Sequence, residues 1–249
     1  MNPTTNKTVR ELALEIPGAT RVFEKMGIDY CCGGKRSLAD ACAAAGVIVE
    51  EVQKSLELAP CAHFRWEGLN LLTATLEELI NHIVETHHSF TRFEIDRLNA
   101  LLEKVCMVHG ENHPELQQIN VLFRALGDDL ETHMTKEERM LFPYIIRMEA
   151  AAKQLVPLSR PPFGTVANPV RMMMFEHDRA GELLRQIREL SSNYATPADS
   201  CISYQTLYSA LEALEKDLHQ HIHVENNILF PRAVDMEPVA EPIPVGQLN

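Results

Sequence analysis

The chain has 249 residues, of which 35 are acidic and 23 are basic, so its formal net charge is -12. A chain this acidic repels polyanions, and we therefore expect no nucleic acid partner. The apolar fraction of 45% is ordinary for a globular protein. No stretch approaches the roughly 18 to 20 uncharged apolar residues of a membrane span, which predicts no membrane partner.

Two further features bear on the compartment. Six cysteines are too few for a disulfide scaffold in a chain of 249 residues. Charged side chains at Arg10, Glu11 and Glu15 stand where a secretory signal would need an uninterrupted apolar core. We therefore expect a cytoplasmic protein.

Residues 1–58 predict a small helical domain made of short pieces. Capping and start signals place the beginnings of four helices at Thr8, Pro17, Ser37 and Ile48. After the second helix the chain reads Gly27-Ile28-Asp29-Tyr30-Cys31-Cys32-Gly33-Gly34, and its glycines predict a turn. A linker is expected over residues 59–74, because the helical periodicity is broken there.

Residues 75–236 predict an antiparallel four-helix bundle. From Thr75 onward no strand pattern is found, and four stretches carry apolar residues at helical spacing, over about 75–108, 112–150, 168–190 and 201–227. Loops of modest length between long helices favour an up-and-down arrangement. Residues 237–249 contain three prolines and are expected to form a disordered tail. The whole chain is thus expected to be all-α.

An internal repeat within the bundle is the most informative pattern. Both copies place a glutamate four residues after a histidine and then Leu-Phe-Pro, and the second copy lies 88 positions after the first. A further histidine precedes each copy by 44 or 45 residues. The repeat contributes six residues, which are His88, His133 and Glu137 from the first copy and His177, His221 and Glu225 from the second.

These six residues have the properties of metal ligands. Residues four apart lie on one helix face, and each of the six falls on the apolar stripe of its helix, so the four stripes are expected to meet in one core. Buried carboxylates without partners cost several kcal/mol each, a cost that a cation removes. One zinc ion needs three or four ligands, whereas six ligands with two carboxylates that can bridge fit two iron ions joined by an oxide or hydroxide. Manganese or mixed metals are open alternatives.

Other residues receive simpler expectations. His87 is the alternative to His88 as the ligand from the first bundle helix. The histidines on other faces or near helix ends are expected to be solvated or to cap helices, namely His82, His109, His113, His219 and His223. Asp129 and Glu176 are expected to be exposed charges rather than groups that support the ligands. Four cysteines are expected to be ordinary thiols, namely Cys42, Cys61, Cys106 and Cys201.

Cys31 and Cys32 form a vicinal pair in the glycine-rich turn. Accessible thiolates there would bind soft iron or exchange with a disulfide, so iron transfer or redox chemistry is their expected role. The alternative is that both are incidental small residues. A disulfide between neighbours would be strained and easily reduced, which suits redox cycling better than a structural staple.

With these motifs in place, the chain resembles a known family. The stretch from about 75 to 235 resembles a hemerythrin-like di-iron domain, and residues 1–58, with Asp29 to Gly34, resemble the small domain that precedes it in the bacterial repair-of-iron-centres proteins. The resemblance implies a cytoplasmic di-iron protein that is made under nitrosative or oxidative stress, helps to restore damaged iron–sulfur clusters and binds nitric oxide. It also implies that the six repeat residues are the iron ligands, with Glu137 and Glu225 as bridges.

Three functions follow as hypotheses. The first is repair of damaged iron–sulfur proteins, by iron donation or by removal of nitric oxide. The second is a di-iron nitric oxide reductase that forms nitrous oxide, and the third is a nitric oxide or oxygen binding or sensing module without turnover. Oxygen-carrying hemerythrins have coordination richer in histidine, so reversible oxygen transport is not expected. A homodimer is left open.

Overall fold

The computed structural model describes residues 7–16, 18–58, 65–66, 69–154, 159 and 161–237. Within them, the small domain consists of four short helices, α1 (Val9–Glu15), α2 (Ala19–Lys25), α3 (Leu38–Ala45) and α4 (Val49–Glu57). The predicted helix starts at Thr8 and Ser37 are confirmed, because each side chain accepts the backbone N–H three residues on. Pro17 lies outside the described residues. The buried side chains of the four helices, with Phe23 and Leu38 at the centre, form one apolar core.

The predicted linker contains a feature that the sequence did not indicate. Two strands of two residues each, Arg65–Trp66 and Leu69–Asn70, pair antiparallel. Residues 59–64, 67 and 68 lie outside the described part of the chain. Helices make up nearly all of the regular structure that is described, so the predicted all-α class is confirmed.

Four long helices form the bundle, and three of them contain a π-helical segment. Bundle helix 1 runs through Leu76–His82, the π segment Ile83–His88 and Ser89–His109. Bundle helix 2 runs through Glu115–Lys136, the π segment Glu137–Leu141 and Phe142–Gln154. Bundle helix 3 is Ala167–Leu190. Bundle helix 4 runs through Ile202–Val224, the π segment Glu225–Leu229 and Phe230–Met236.

Cross-helix pairs show that bundle helices 1 and 2 run antiparallel. Bundle helices 1 and 2 are joined by His88 with Glu138 and, four residues further along helix 1, by Arg92 with Glu131. The residue numbers therefore rise on one helix as they fall on the other. Among the described residues, no helix is long and apolar enough to cross a bilayer.

The π segments of bundle helices 2 and 4 coincide with the two copies of the repeat. In the second copy, the backbone N–H of Phe230 donates to the carbonyl of Glu225, five residues back. The wider turn precedes Pro231, which has no N–H to donate. The predicted end of bundle helix 4 near Asn227 is therefore wrong, since the helix continues beyond the proline to Met236.

A polar layer divides the core of the bundle. One apolar cluster lies between this layer and the loop ends near residues 110 and 200, and it includes Leu102, Phe123 and Leu214. A second cluster lies on the other side and includes Leu79 and Phe142. The six repeat residues occupy the level between the two clusters, where both apolar layers exclude water from them.

Candidate metal centre

The structure brings all six repeat residues together in the polar layer of the bundle. Their exposed fractions lie between 0% and 3%, so each side chain is buried. Their ligand atoms form two groups, each with atoms within 4.8 Å of one another. The first group contains His88 and His221, the second contains His133 and His177, and Glu137 and Glu225 belong to both groups.

The distances between these ligand atoms match those within a coordination sphere. The Nε2 atoms of His88 and His221 are 3.2 Å apart, and those of His133 and His177 are 3.0 Å apart. Atoms about 2.1 Å from one ion lie about 3.0 Å apart at a right angle and about 3.4 Å apart at the tetrahedral angle. Each pair of imidazoles therefore fits one ion.

Each glutamate contacts one histidine from each group. An Oε atom of Glu137 lies 3.4 Å from Nε2 of His88 and 3.3 Å from Nε2 of His133. The carboxylate of Glu225 lies 3.1 Å from Nε2 of both His177 and His221. This is the arrangement that two bridging carboxylates require.

The carboxylate oxygens themselves supply a test of whether a cation fits. Among the described residues, no hydrogen-bond donor meets either oxygen of Glu137. Glu225 differs, because despite its burial the imidazoles of His221 and His177 lower its pKa well below the ordinary value. Burial and the nearby Glu225 carboxylate raise the pKa of Glu137 well above its ordinary value. Buried carboxylates without partners are costly, and a bound divalent cation reverses both the cost and the pKa shift. The donor set therefore fits metal ions.

Three of the four histidines have their second ring nitrogen held by a neighbouring side chain. The Nδ1 atom of His88 lies 2.7 Å from Glu138, and that of His133 lies 2.9 Å from Glu176. The Nδ1 atom of His177 lies 2.9 Å from Oδ1 of Asn226. These acceptors keep the proton on Nδ1, which leaves the Nε2 lone pair free to bind a metal.

The two carboxylates that hold these rings are themselves anchored by cations. Arg92 donates to Glu138 at 2.8 Å, and Lys136 donates to Glu176. The hydrogen bond from His133, together with that from Lys136, lowers the pKa of Glu176 to about 2. The expectation that Glu176 is only an exposed charge is therefore wrong. Asp129, in contrast, forms a surface ion pair with Arg179 at 2.9 Å, as expected.

Glu138 and Asn226 were missed by the sequence analysis, although the repeat contained the signal for both. Each directly follows a glutamate of the repeat, and each contacts the histidine of the preceding bundle helix. Comparison of equivalent positions in the two copies would have found them. At this position the two copies differ in that an acid in the first copy is replaced by an amide in the second.

Two other histidines, His87 and His223, are buried but belong to neither ligand group. His87 lies outside both ligand groups, and its Nδ1 atom is 2.9 Å from Asp217. His223 was expected to be solvated or capping, but it is 2% exposed and lies 2.9 Å from the amide of Asn227. Its face of bundle helix 4 is covered by the small domain, which sequence periodicity within the bundle did not show.

The two adjacent histidines allow a direct test of the ligand assignment. Replacement of His88 with alanine should remove one of two bound ions, because its Nε2 atom points into the polar layer. Replacement of His87 with alanine should leave the metal content unchanged. Elemental analysis of both purified variants checks this. Loss of metal from the His87 variant alone would show that the alternative assignment was correct.

Cys31 and Cys32 lie apart from the six residues, in the turn of the small domain. Cys31 is buried and Cys32 is partly exposed, and their sulfurs are 3.9 Å apart, so no disulfide joins them. The sulfur of Cys32 and burial raise the pKa of the Cys31 thiol well above its ordinary value. A cavity of about 690 Å³ opens beside both cysteines, between the small domain and bundle helices 3 and 4.

The cysteine turn is attached to bundle helix 4 through Asn227. The side-chain amide of Asn227 donates to the carbonyl of Tyr30 at 3.2 Å, and the Arg10 guanidinium donates to the carbonyl of Asn227 at 2.7 Å. That carbonyl lies one turn before Pro231, which has no N–H to donate, so it is available to a side chain. A side chain at Gly34 would begin 3.1 Å from Oδ1 of Asn227, and glycine permits this close contact.

Cys201 differs from Cys42 and Cys106, which were also expected to be ordinary thiols, whereas Cys61 lies outside the described residues. It is exposed at the start of bundle helix 4, and its sulfur lies 3.2 Å from Nε2 of His109. Backbone N–H groups of the first helical turn and His109 lower its pKa to about 7. Cys42 and Cys106 are buried, and burial raises the pKa of both.

This contrast predicts the order in which the thiols react. The rate of Cys201 alkylation should rise with pH through a midpoint near pH 7, because the thiolate is the nucleophile. Replacement of His109 with alanine should move the midpoint upward. Peptide mass spectrometry of iodoacetamide-treated protein measures the rate at each cysteine. An unchanged midpoint in the variant would show that His109 does not stabilise the thiolate.

Comparison with known proteins agrees with this architecture. Residues 79–233 match the Hemerythrin HHE cation binding domain, which is the class of protein that the bundle and its histidine–glutamate layer define. Residues 5–59 match a family described as a Domain of Unknown function (DUF542).

Relatives match over nearly the whole chain. A "Probable iron-sulfur cluster repair protein" of Haemophilus influenzae is 33% identical over 225 residues, which cover 90% of this chain and 95% of the relative. The "Iron-sulfur cluster repair protein YtfE" of Escherichia coli and of Shigella boydii is 36% identical over 224 residues, which cover 90% of this chain and 94% of the relative. The chain belongs to this family of hemerythrin-domain iron–sulfur cluster repair proteins, and the predicted resemblance is confirmed.

Proposed function

We propose that this protein repairs iron–sulfur clusters damaged by nitrosative or oxidative stress, through iron donation or nitric oxide removal at a centre of four histidines and two glutamates that holds two iron ions. The observation that carries the proposal is the pair of ligand groups that share Glu137 and Glu225. The names of the relatives support it. Its clients are damaged iron–sulfur proteins, and its compartment is the cytoplasm.

The residues of the centre have distinct roles in this proposal. His88 and His221 would hold one ion, His133 and His177 would hold the other, and Glu137 and Glu225 would be shared by both. Iron bound there would supply one-electron chemistry, would bind nitric oxide or oxygen, and would be available for donation. The apolar layers on either side exclude water, which strengthens the electrostatic interactions within the layer.

The side chains around the ligands set their orientation and charge. Glu138, Glu176 and Asn226 hold the Nδ1 protons of three imidazoles and so fix the direction of each Nε2 lone pair. Cys31 and Cys32 are the residues proposed for iron transfer or thiol exchange, because they form the vicinal thiol pair beside an open cavity.

The experiment that tests repair uses a purified enzyme whose [4Fe–4S] cluster has been damaged by nitric oxide. Iron-loaded protein should restore the activity several-fold faster than an equal amount of free ferrous iron. The Glu225→Ala variant and the double variant Cys31→Ala/Cys32→Ala should each restore less enzyme activity than the wild-type protein. Equal recovery with free iron would contradict the proposal.

A gas assay separates the two routes of repair and tests the reductase hypothesis. Reduction of two nitric oxide molecules by two electrons and two protons gives one nitrous oxide and one water. The two carboxylates that belong to both ligand groups favour this candidate, since they would hold two electron-donating ions side by side. Anaerobic single turnover with nitric oxide should yield nitrous oxide if the centre reduces it. Cluster rescue without nitrous oxide would assign the protein to iron donation.

A further inference from the structure

A second set of metal-ligand atoms lies outside the polar layer of the bundle. Asp29, Cys31 and Cys32 each place one ligand atom within 4.8 Å of the others. The two sulfurs are 3.9 Å apart, and the Cys31 sulfur is 3.3 Å from Oδ1 of Asp29. Two thiolates bound at about 2.3 Å to one tetrahedral ion lie about 3.8 Å apart. The sulfur pair therefore already has the spacing that one ion requires.

The backbone of the turn fixes the carboxylate in place. Oδ1 of Asp29 accepts the N–H groups of Cys31 at 3.1 Å and Cys32 at 2.9 Å, and Oδ2 accepts that of Gly33 at 2.9 Å. A carboxylate has about four lone-pair positions, so one is left for a cation. Asn227 holds the carbonyl of Tyr30, so the turn is also anchored on the bundle.

The charge and the sulfur atoms of the cluster together favour a divalent cation that binds thiolates. When both thiols and the carboxylate are ionised they repel one another, and a divalent ion offsets most of that charge. Thiolate sulfur is a soft ligand that selects zinc, ferrous iron or cuprous copper over magnesium or calcium. The two sulfurs restrict the occupant to this class.

The position of the turn gives an ion access from solvent. Cys32 is partly exposed and lines the cavity of about 690 Å³ beside bundle helices 3 and 4. A side chain added at Gly181 of bundle helix 3 would begin 3.9 Å from the Cys32 sulfur. Gly181 lies one helical turn after His177, so the sulfur is next to the wall of the bundle that carries a proposed iron ligand.

We propose that Asp29, Cys31 and Cys32 form a third cation site, distinct from the six-residue centre, which takes one soft divalent ion such as Fe²⁺ or Zn²⁺. Binding replaces the two thiol protons, which are released to solvent, by two metal–sulfur bonds, and no electron is transferred. The carboxylate is the third ligand. The fourth position faces the cavity and is filled by water or by an incoming ligand.

Cobalt provides a probe that reports this site alone. The full-length protein is first loaded anaerobically with only two equivalents of ferrous iron, the amount that the six-residue centre takes, and is then titrated with Co²⁺. A thiolate-to-cobalt charge-transfer band in the near ultraviolet requires sulfur ligation, and the six-residue centre has only nitrogen and oxygen ligands. We expect the band to saturate at one equivalent of Co²⁺. Absence of the band in the wild-type protein would overturn the proposal.

Matched variants identify the ligands. Cys32→Ser, at a partly exposed position, should abolish the band, whereas Cys201→Ser, at the exposed cysteine beside His109, should retain it. The reverse result would place the bound cobalt at the other end of the bundle and would overturn the proposal. Asp29→Asn should weaken Co²⁺ binding at least tenfold. Wild-type affinity in that variant would overturn the three-ligand site.

The cobalt experiment and the tests of iron content and cluster repair can fail independently of each other. A protein that holds two iron ions and rescues clusters but shows no charge-transfer band refutes the third site only. A protein that shows the band but holds no iron in the bundle refutes the proposed function only. Circular dichroism of each variant checks that the helices are retained.

Discussion

Replacement of Glu225 with alanine is expected to lower the metal content of the purified protein from two ions to one or none. The Glu225 carboxylate lies 3.1 Å from Nε2 of both His177 and His221, which belong to different ligand groups. Loss of this one side chain therefore removes a ligand from both ions. The same argument applies to Glu137→Ala, because Glu137 also contacts a histidine from each group.

A matched control for this variant is present on the same helix. Glu215 is also buried, with 4% of its surface exposed, and it accepts a hydrogen bond from Tyr194 at 3.0 Å. It lies outside both ligand groups. Glu215→Ala should therefore lower stability without changing the metal content. Elemental analysis together with Mössbauer spectra measures the difference. Retention of two ions in both the Glu225 and the Glu137 variant would contradict the bridging assignment.

That the six repeat residues meet in one layer could be predicted from the sequence because their geometry is local. Residues four apart on a helix share a face, so His133 with Glu137, and His221 with Glu225, were fixed as pairs by spacing alone. The repeat then supplied the partner histidines of the other two helices. Spacing left His87 open as the alternative to His88, and the structure places His88 rather than His87 in a ligand group.

The residues that hold the ligands in place depend on how helices cross, and this the sequence did not indicate directly. Glu138 reaches the histidine of a different helix, and Glu176 does the same across another helix pair. The burial of His223 likewise depends on contact between two domains, through Asn227 and Tyr30. Periodicity within one helix contains no information on such contacts. From that periodicity alone, Glu138, Glu176 and His223 are therefore indistinguishable from ordinary surface residues.

The π segments are a further feature that the sequence pattern did not predict. Bundle helix 4 was expected to end near Asn227, yet it continues to Met236, although a proline within a helical pattern normally marks a break. The structure instead has a wide turn from Glu225 to Leu229 before Pro231. The wide turn contains Glu225, Asn226 and Asn227 in succession. The carboxylate proposed to bridge, the partner of His177 and the anchor of the cysteine turn are therefore adjacent in sequence.

Removal of the metal ions is expected to lower the thermal unfolding midpoint by roughly 8 to 16 °C. A ligand present at about 1,000 times its dissociation constant stabilises the native state by about 4 kcal/mol. For a chain of this size each kcal/mol corresponds to roughly 2 to 4 °C. Calorimetry of chelator-treated protein, before and after reloading with ferrous iron, measures the shift. An equal midpoint in both states would contradict a metal centre in the bundle core.

The Glu137→Leu variant should be more stable than wild type when both are free of metal. In metal-free protein, Glu137 is a fully buried carboxylate whose oxygens meet no donor among the described residues, so it destabilises the bundle. Exchange of buried charged groups for apolar side chains of similar volume is often stabilising by about 1 to 4 kcal/mol. Metal-free Glu137→Leu should therefore unfold at a higher temperature than metal-free wild type.

After iron loading the wild type should have the higher unfolding temperature, because the Glu137→Leu variant lacks a proposed bridging ligand and gains less stability from the metal. The two measurements together separate a residue kept for metal binding from one kept for stability, since only the former is destabilising in the absence of the ion. A metal-free variant that is less stable than metal-free wild type would mean that Glu137 has a structural partner, and the bridging assignment would fall with that result.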